Sequence, residues 1–216
     1  FDREKMVKYL RNGMGVAAVH GIIPKGLPGF AAIDGYTYKP EKAKALIAQY
    51  KLETGDDQPE ITIGTNSQYL DLCEFIQREL EKLGINVIID VVPPSTLRQM
   101  KSSGELDIFR ASWIADYPDA ENYLSLFYSP NFTPDGPNYT HFKSEVFDSL
   151  YARSLEISDI EQRKELYTKM DSIIVAEAPV VPLYYDKAIR FVNKKVHGLG
   201  VNPQNFLVLK NVYKDE

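Results

Sequence analysis

The chain has 216 residues, 44% hydrophobic and 25% charged, a composition typical of a globular protein large enough to bury a substantial core. Its net charge of −5 comes without a basic patch, which argues against a nucleic-acid partner, since phosphates are bound through clustered lysine and arginine. The longest apolar runs, such as INVIIDVV, have the length of a strand and are far too short to span a bilayer.

Phe1 and Asp2 open directly onto a helix, DREKMVKYLRNG. Asp2 suits the N-cap, Phe1 is spaced to staple against Met6, and Gly13 suits a left-handed closure. No initiator methionine, signal peptide or lipid-anchor cysteine precedes Phe1, so the expectation is an excised piece of a longer protein. Residues 14–38 are rich in Gly and Pro and read as a long ordered loop. KPEKAKALIAQYK starts on a proline and repeats apolar residues at helical spacing, which predicts a helix, and TGDDQP is a turn.

Next, EITIGT predicts a strand, and Ser67 is placed to cap the helix QYLDLCEFIQRELEKLG. Leu72, Cys73, Ile76, Leu80 and Leu83 fall on one face of that helix, and Gly84 ends it. Cys73 is the chain's one cysteine, so an internal disulfide is impossible and a Cys/His zinc site would lack ligands. Its place on the apolar stripe predicts a small buried side chain. INVIIDVV is a second strand, STLRQMKSSG a short helix and LDIFRASWIA a third strand. This β-α-β-α-β order with near-continuous apolar strands predicts an α/β fold whose parallel sheet is covered on both faces.

The second half reads as mostly helical. SEVFDSLYARSLE places Val146, Phe147, Leu150, Tyr151 and Leu155 on one side, and DIEQRKELYTKMDSIIVAEA does the same with Ile160, Leu166, Met170, Ile173 and Ile174. Pro179 and Pro182 break the helix, VPLYYDKAIRFV returns as a strand, and NPQNFLVLKNVY predicts a further strand at the tail. There is no internal repeat and no low-complexity segment.

Little in the sequence points to catalysis. His20, His141 and His197 are scattered, and no nucleophile elbow, phosphate loop, G-x-G-x-x-G or H-E-x-x-H motif occurs. Asp116, Asp119 and Glu121 offer carboxylates of the kind hard cations prefer, but Pro118 interrupts them and Asp119 is placed to cap the helix AENYLSLFY. Asp116 is distinct because it lies just past the carboxyl end of the third strand, where open α/β sheets bind ligands. It stands three residues beyond Trp113 and six beyond Arg110. Together these present an anion, an aromatic wall and a cation to one ligand bearing both charges. The competing reading pairs Arg110 and Asp116 with other residues and places Trp113 in the core.

Three stretches in order, YKPEKAKALIAQYK, LDIFRASWIADYPDAENYL and the long segment from THFKSEVF to VVPLYY, make the chain resemble the bacterial extracellular solute-binding proteins of family five. These are the oligopeptide- and dipeptide-binding components of ABC importers. The resemblance implies a lobe of the type II periplasmic-binding-protein fold: three layers, α/β/α, around a mostly parallel sheet. It covers the second lobe of a two-lobe receptor. Residues 1–195 correspond to the C-terminal ligand-binding lobe, and 196–216 to a crossover tail returning toward the absent N-terminal lobe.

The implied function is capture of a peptide in the periplasm or another extracytoplasmic space, where the full-length protein can carry a lipid anchor. The ligand is handed to an ABC permease, without cofactor, metal or catalysis. By the same resemblance Asp116 meets the ligand's α-ammonium, Trp113 walls the side-chain pockets and Arg110 meets a carboxylate. Gln68, Tyr117 and Tyr185 complete the candidate ligand-binding set. The chain departs from the family's pattern at Pro93 and Pro94, where oligopeptide binders often carry an acidic residue and Trp. It departs also at Gln68, where a histidine can stand, and at Asp186, which replaces a third consecutive tyrosine. A nickel chelate, a sugar or another small solute is the alternative ligand class, and a metal-assisted hydrolase built on Asp116, Asp119 and Glu121 is the enzymatic alternative.

Overall fold

The computed structural model describes residues 1–202 and 205–216. In chain order it contains α1 (Arg3–Leu10), β1 (Val16–Ala17), α2 (Pro40–Thr54), β2 (Glu60–Thr65), α3 (Leu70–Glu81), β3 (Asn86–Val91), α4 (Pro94–Ser103) and β4 (Ile108–Phe109). These are followed by α5 (Glu121–Leu124), α6 (Glu145–Glu156), α7 (Ile160–Glu177), β5 (Tyr184–Tyr185), β6 (Val196–His197) and β7 (Tyr213–Lys214).

Helix boundaries follow local chemistry. Asp2 accepts the Lys5 N–H at 2.9 Å to cap α1, and Phe1 packs on the cluster of buried Met6, Val7 and Leu72. Pro40 opens α2, and Gly55 closes it at φ 73° with its N–H on the Lys51 carbonyl. At α3 the capping residue is not Ser67. Asn66 accepts the Gln68 N–H at 3.0 Å and starts a short 3-10 turn, Ser67–Tyr69, before the α-helix proper begins. An amide one residue earlier reaches the first free N–H, so the hydroxyl is not needed.

The central sheet is parallel with order β3-β2-β4, as the β-α-β pattern predicts. On one face Ile63, Cys73 and Val87 form a core with Ile61, Ile76, Leu80 and Ile89, which seats the apolar stripe of α3 on the strands. The opposite face is covered more thinly. Leu106 packs over Gly64, Lys101 of α4 and Tyr139 lie over and beside Phe109, and Ile88 stays 45% exposed. The third strand is much shorter than its apolar run. After Phe109 the Arg110 N–H bonds the Gly64 carbonyl at 3.0 Å, but β2 itself stops at Thr65, so residues 111–115 have no strand to pair with.

The larger core lies in the helical half. Ile23, Leu27, Ala115, Ala120, Leu124, Phe127, Phe147, Tyr151, Leu166, Tyr167, Met170 and Ile174 form one buried cluster. Full burial of a side chain the size of Phe147 is worth about 2–3 kcal/mol. α6 buries Phe147, Tyr151 and Ser154, at helical spacing, and turns Val146 (63% exposed) and Leu155 (59%) outward. Both had been expected on the core side. The loop of residues 14–38 is ordered because it enters this core: Ile23 and Leu27 are buried, and Gly29 lies against the Tyr167 ring. A Cβ at Gly29 would come within 2.6 Å of that ring, and its φ of +94° also favours glycine.

Two further ladders are short. β1 and β5 pair antiparallel, Val16 with Tyr185 and Ala17 with Tyr184, so the predicted strand VPLYYDKAIRFV is a ladder at its two tyrosines alone among the described residues. β6 and β7 pair antiparallel within the tail, and His197 and Asp215 approach to 2.7 Å. The strand expected at NPQNFLVLKNVY includes residues 203 and 204, which lie outside the described residues. Of its remainder, Tyr213 alone falls in a ladder.

Candidate functional site

β2 and β4 run parallel and side by side, so the segments that follow them leave the sheet at one edge. After β2 comes the turn that carries Gln68 and Tyr69, with Gln68 exposed. After β4 comes Arg110. Its guanidinium lies face-on over the Tyr69 ring, 3.2 Å from the centroid, and its Nη1 lies 3.4 Å from the Ser112 hydroxyl. The stack brings Arg110 to the turn that holds Gln68 and orients the cation.

Further positive charge gathers here. The Lys101 ammonium lies over the rings of Phe109 and Tyr139, and burial, helped by the charges of Arg110 and Arg98, pulls its pKa below the usual lysine range. Cys73 is buried beneath, and burial pushes its thiol up, so it behaves as packing.

The segment from Ala111 to Asp119 is irregular, and side chains rather than a ladder hold it. The Trp113 indole Nε1–H donates to Asn122 Oδ1 at 2.8 Å, and the Asp116 backbone N–H donates to the same oxygen at 3.2 Å. The Tyr123 hydroxyl donates to the Trp113 carbonyl at 3.3 Å. Trp113 is half-buried, whereas Asp116 and Tyr117 are exposed. Behind them Glu121, buried in α5, accepts the hydroxyls of Tyr117 and Tyr151, one on each carboxylate oxygen. Burial and the Glu121 carboxylate both raise these phenols above the ordinary tyrosine range, so both stay neutral donors. Asp119 accepts the Glu121 N–H at 3.0 Å and the Arg163 guanidinium at 2.7 Å.

The acids of this stretch are thus divided among different partners. Asp119 belongs to Arg163 and the helix start, and Glu121 to two tyrosines. Among the described residues no three His, Cys, Asp or Glu side chains converge as a metal site would require.

The six candidate residues fall into two neighbourhoods. Arg110, Trp113, Asp116 and Tyr117 lie on one segment, and Gln68 adjoins the Tyr69 ring beneath Arg110. Tyr185 is elsewhere engaged. Its hydroxyl donates to the Gly21 carbonyl at 2.7 Å, and burial, with the nearby Asp171 carboxylate, pushes its pKa up to about 12. Sequence reasoning missed Asn122 and Tyr69. Asn122 carried little signal: it lies in the four-residue helix ENYL beside a second polar residue, and its burial between Ala120 and Leu124 is set by packing. Tyr69 had none beyond its place at a strand end.

A parallel three-stranded sheet set beside a helical half is an α/β fold of the periplasmic-binding-protein type. The chain belongs to the bacterial extracellular solute-binding proteins, family 5: the model of that family's middle region matches residues 1–135. It is 28% identical, over 98% of its own length, to the periplasmic oligopeptide-binding protein OppA of Salmonella typhimurium, of which it covers 40%. It is 26% identical to the dipeptide-binding protein of Escherichia coli, matching 94% of this chain and 38% of that protein. Its fold matches the periplasmic binding protein DppA of Helicobacter pylori, solved with the peptide STSA, at TM-score 0.83 and 28% identity, covering 100% of this chain and 42% of that one. The chain therefore spans about two fifths of the length of the relatives it matches. Among the described residues no helix is long and apolar enough to cross a membrane.

Proposed function

We propose that this chain is the C-terminal lobe, residues 1–195, of a peptide-capturing receptor, with residues 196–216 crossing back toward the other lobe. The observation that carries this reading is the placement of Arg110 at the carboxyl edge of the sheet and of Asp116 on the segment that follows it. Arg110 lies within a cationic neighbourhood and Asp116 is exposed beside a tryptophan wall. A short peptide with free ends is a dipolar chain of matching form. Its α-ammonium meets Asp116 and its carboxylate meets Arg110, each through a charge-assisted hydrogen bond. Trp113, Tyr117 and Gln68 line the space between. Peptide backbone hydrogen bonds make affinity tolerant of side-chain identity. Two of the relatives named above are described as peptide binders, and a third was solved with a peptide, which supports the same class.

The mechanism is closure of two lobes on the ligand, followed by delivery to an ABC permease outside the cytoplasm, with no chemical step. Contacts to both lobes favour the closed state because each ligand end gains its partner only there. The test is Asp116→Asn in the full-length parent protein. It is expected to weaken a free-amine tripeptide by about 2–5 kcal/mol, the cost of unpairing a shielded charge, and to change binding of the N-acetylated peptide far less. Equal loss for both peptides overturns the role of Asp116. Native mass spectrometry of the parent identifies the ligand class: co-purifying mixed peptides support the reading, and a stoichiometric metal chelate or sugar replaces it.

A further inference from the structure

We propose that Asn122 is the positioning residue of the site: one buried amide sets both the tryptophan wall and the backbone that carries Asp116. Residues 111–119 have no ladder partner, so nothing in the sheet holds them beyond the Arg110 N–H. Asn122 is 5% exposed, and its Oδ1 accepts the Trp113 indole N–H at 2.8 Å and the Asp116 N–H at 3.2 Å. Both partners can only donate, so the oxygen must face them and the amide orientation is settled by chemistry. Two candidate site residues, Trp113 and Asp116, therefore converge on one side chain that is itself buried and offers a ligand almost no surface.

Asn122 is itself held firmly. Ala120 and Leu124 on either side are fully buried, Glu121 is tied to Tyr117 and Tyr151, and Asp119 is tied to Arg163. The order of α5 is thereby passed to an irregular segment through two hydrogen bonds. A carboxylate carried on backbone that is already ordered loses less conformational freedom when a ligand arrives, and that preorganisation appears as affinity. Asn122 touches no ligand in this scheme and acts through Asp116.

The inference rests on the reading of Asp116 as the ammonium contact, and the experiment separates the two. Trp113 is the chain's one tryptophan, so its indole N–H gives a single resonance. In the unsubstituted chain that proton is expected to exchange with solvent at least about tenfold more slowly than a free indole. Exchange at the free rate overturns the clamp, whether or not any variant folds. In the full-length parent, Asn122→Ala is expected to weaken a free-amine tripeptide by about tenfold and its N-acetylated form by less than about twofold. The double variant with Asp116→Asn is expected to bind no more weakly than Asp116→Asn alone, the signature of two residues acting as one unit. Equal losses on both peptides, or losses that multiply, overturn the positioning role. If Asp116→Asn fails to distinguish the peptides while the indole proton is protected, the ammonium contact is wrong and the clamp on Trp113 remains.

Discussion

Asp171 is 1% exposed on α7, where it accepts the Ile22 N–H at 2.8 Å. A Cβ at Gly21 would overlap both of its carboxylate oxygens, so glycine is required for the approach. Burial outweighs the pull of the Ile22 and Ile23 backbone amides and raises the carboxyl from 3.8 to about 6. The folded state therefore holds this proton more tightly than the unfolded chain does. The contribution of Asp171 is most favourable below about pH 4, declines as pH rises, and levels off above about pH 6. The difference is worth about 3 kcal/mol. Denaturant titrations between pH 4 and 7 are expected to show that decline, and Asp171→Asn is expected to remove most of it. Tyr185, raised to about 12, stays neutral throughout the window. Residues such as Asp171 and Asn122 were hard to find in the sequence because a buried polar group is defined by what surrounds it. Periodicity placed Met170, Ile173 and Ile174 toward the core but said nothing about the Gly21–Ile23 backbone that the neighbouring carboxylate meets.

α7 ends on Ala178, which has φ +51° and sends its N–H to the Ile174 carbonyl at 2.9 Å. Left-handed backbone costs a residue with a Cβ about 1 kcal/mol, and the Ala178 side chain is exposed, so nothing is lost by removing it. Ala178→Gly is expected to stabilise the fold by about 1 kcal/mol, read as a rise in Tm of about 2–4 °C. Helices were the most legible elements, since their caps are local: Asp2 and Pro40 start α1 and α2 as read, while Gly13 and Gly84 each lie two residues beyond the C-caps of α1 and α3. The faces of α6 were less legible, because the apolar residues Val146 and Leu155 flank a stripe whose centre the sequence does not specify. Strand lengths were least legible. A ladder extends only as far as its partner, and the apolar run LDIFRASWIA continues well past the end of β2.

Exposed apolar side chains gather toward the C-terminal end of the chain: Phe191 is 98% exposed, Val201 90%, and Leu207 and Leu209 about 60% each. Surface of this kind accords with a lobe that packs against further chain, as does coverage of about two fifths of the relatives. On the proposed reading half of the ligand contacts lie on the other lobe. This chain by itself is therefore expected to bind a free-amine tripeptide no more tightly than about 1 mM by calorimetry, and submillimolar affinity would contradict the two-lobe mechanism. From the sequence alone came the α/β class, the parallel β-α-β unit, the family, and the segment bearing Arg110, Trp113 and Asp116. The class and the β-α-β unit are written in local periodicity, capping residues and short-range spacing, and the family in the resemblance of three stretches of the chain. Tertiary structure alone decided that Arg110 stacks on Tyr69, that Asn122 holds Trp113 and Asp116 together, and that Tyr185 turns to Gly21. Those pairings join residues through packing in three dimensions, and hydrogen bonds to a buried amide or a loop carbonyl leave no periodic trace along the chain.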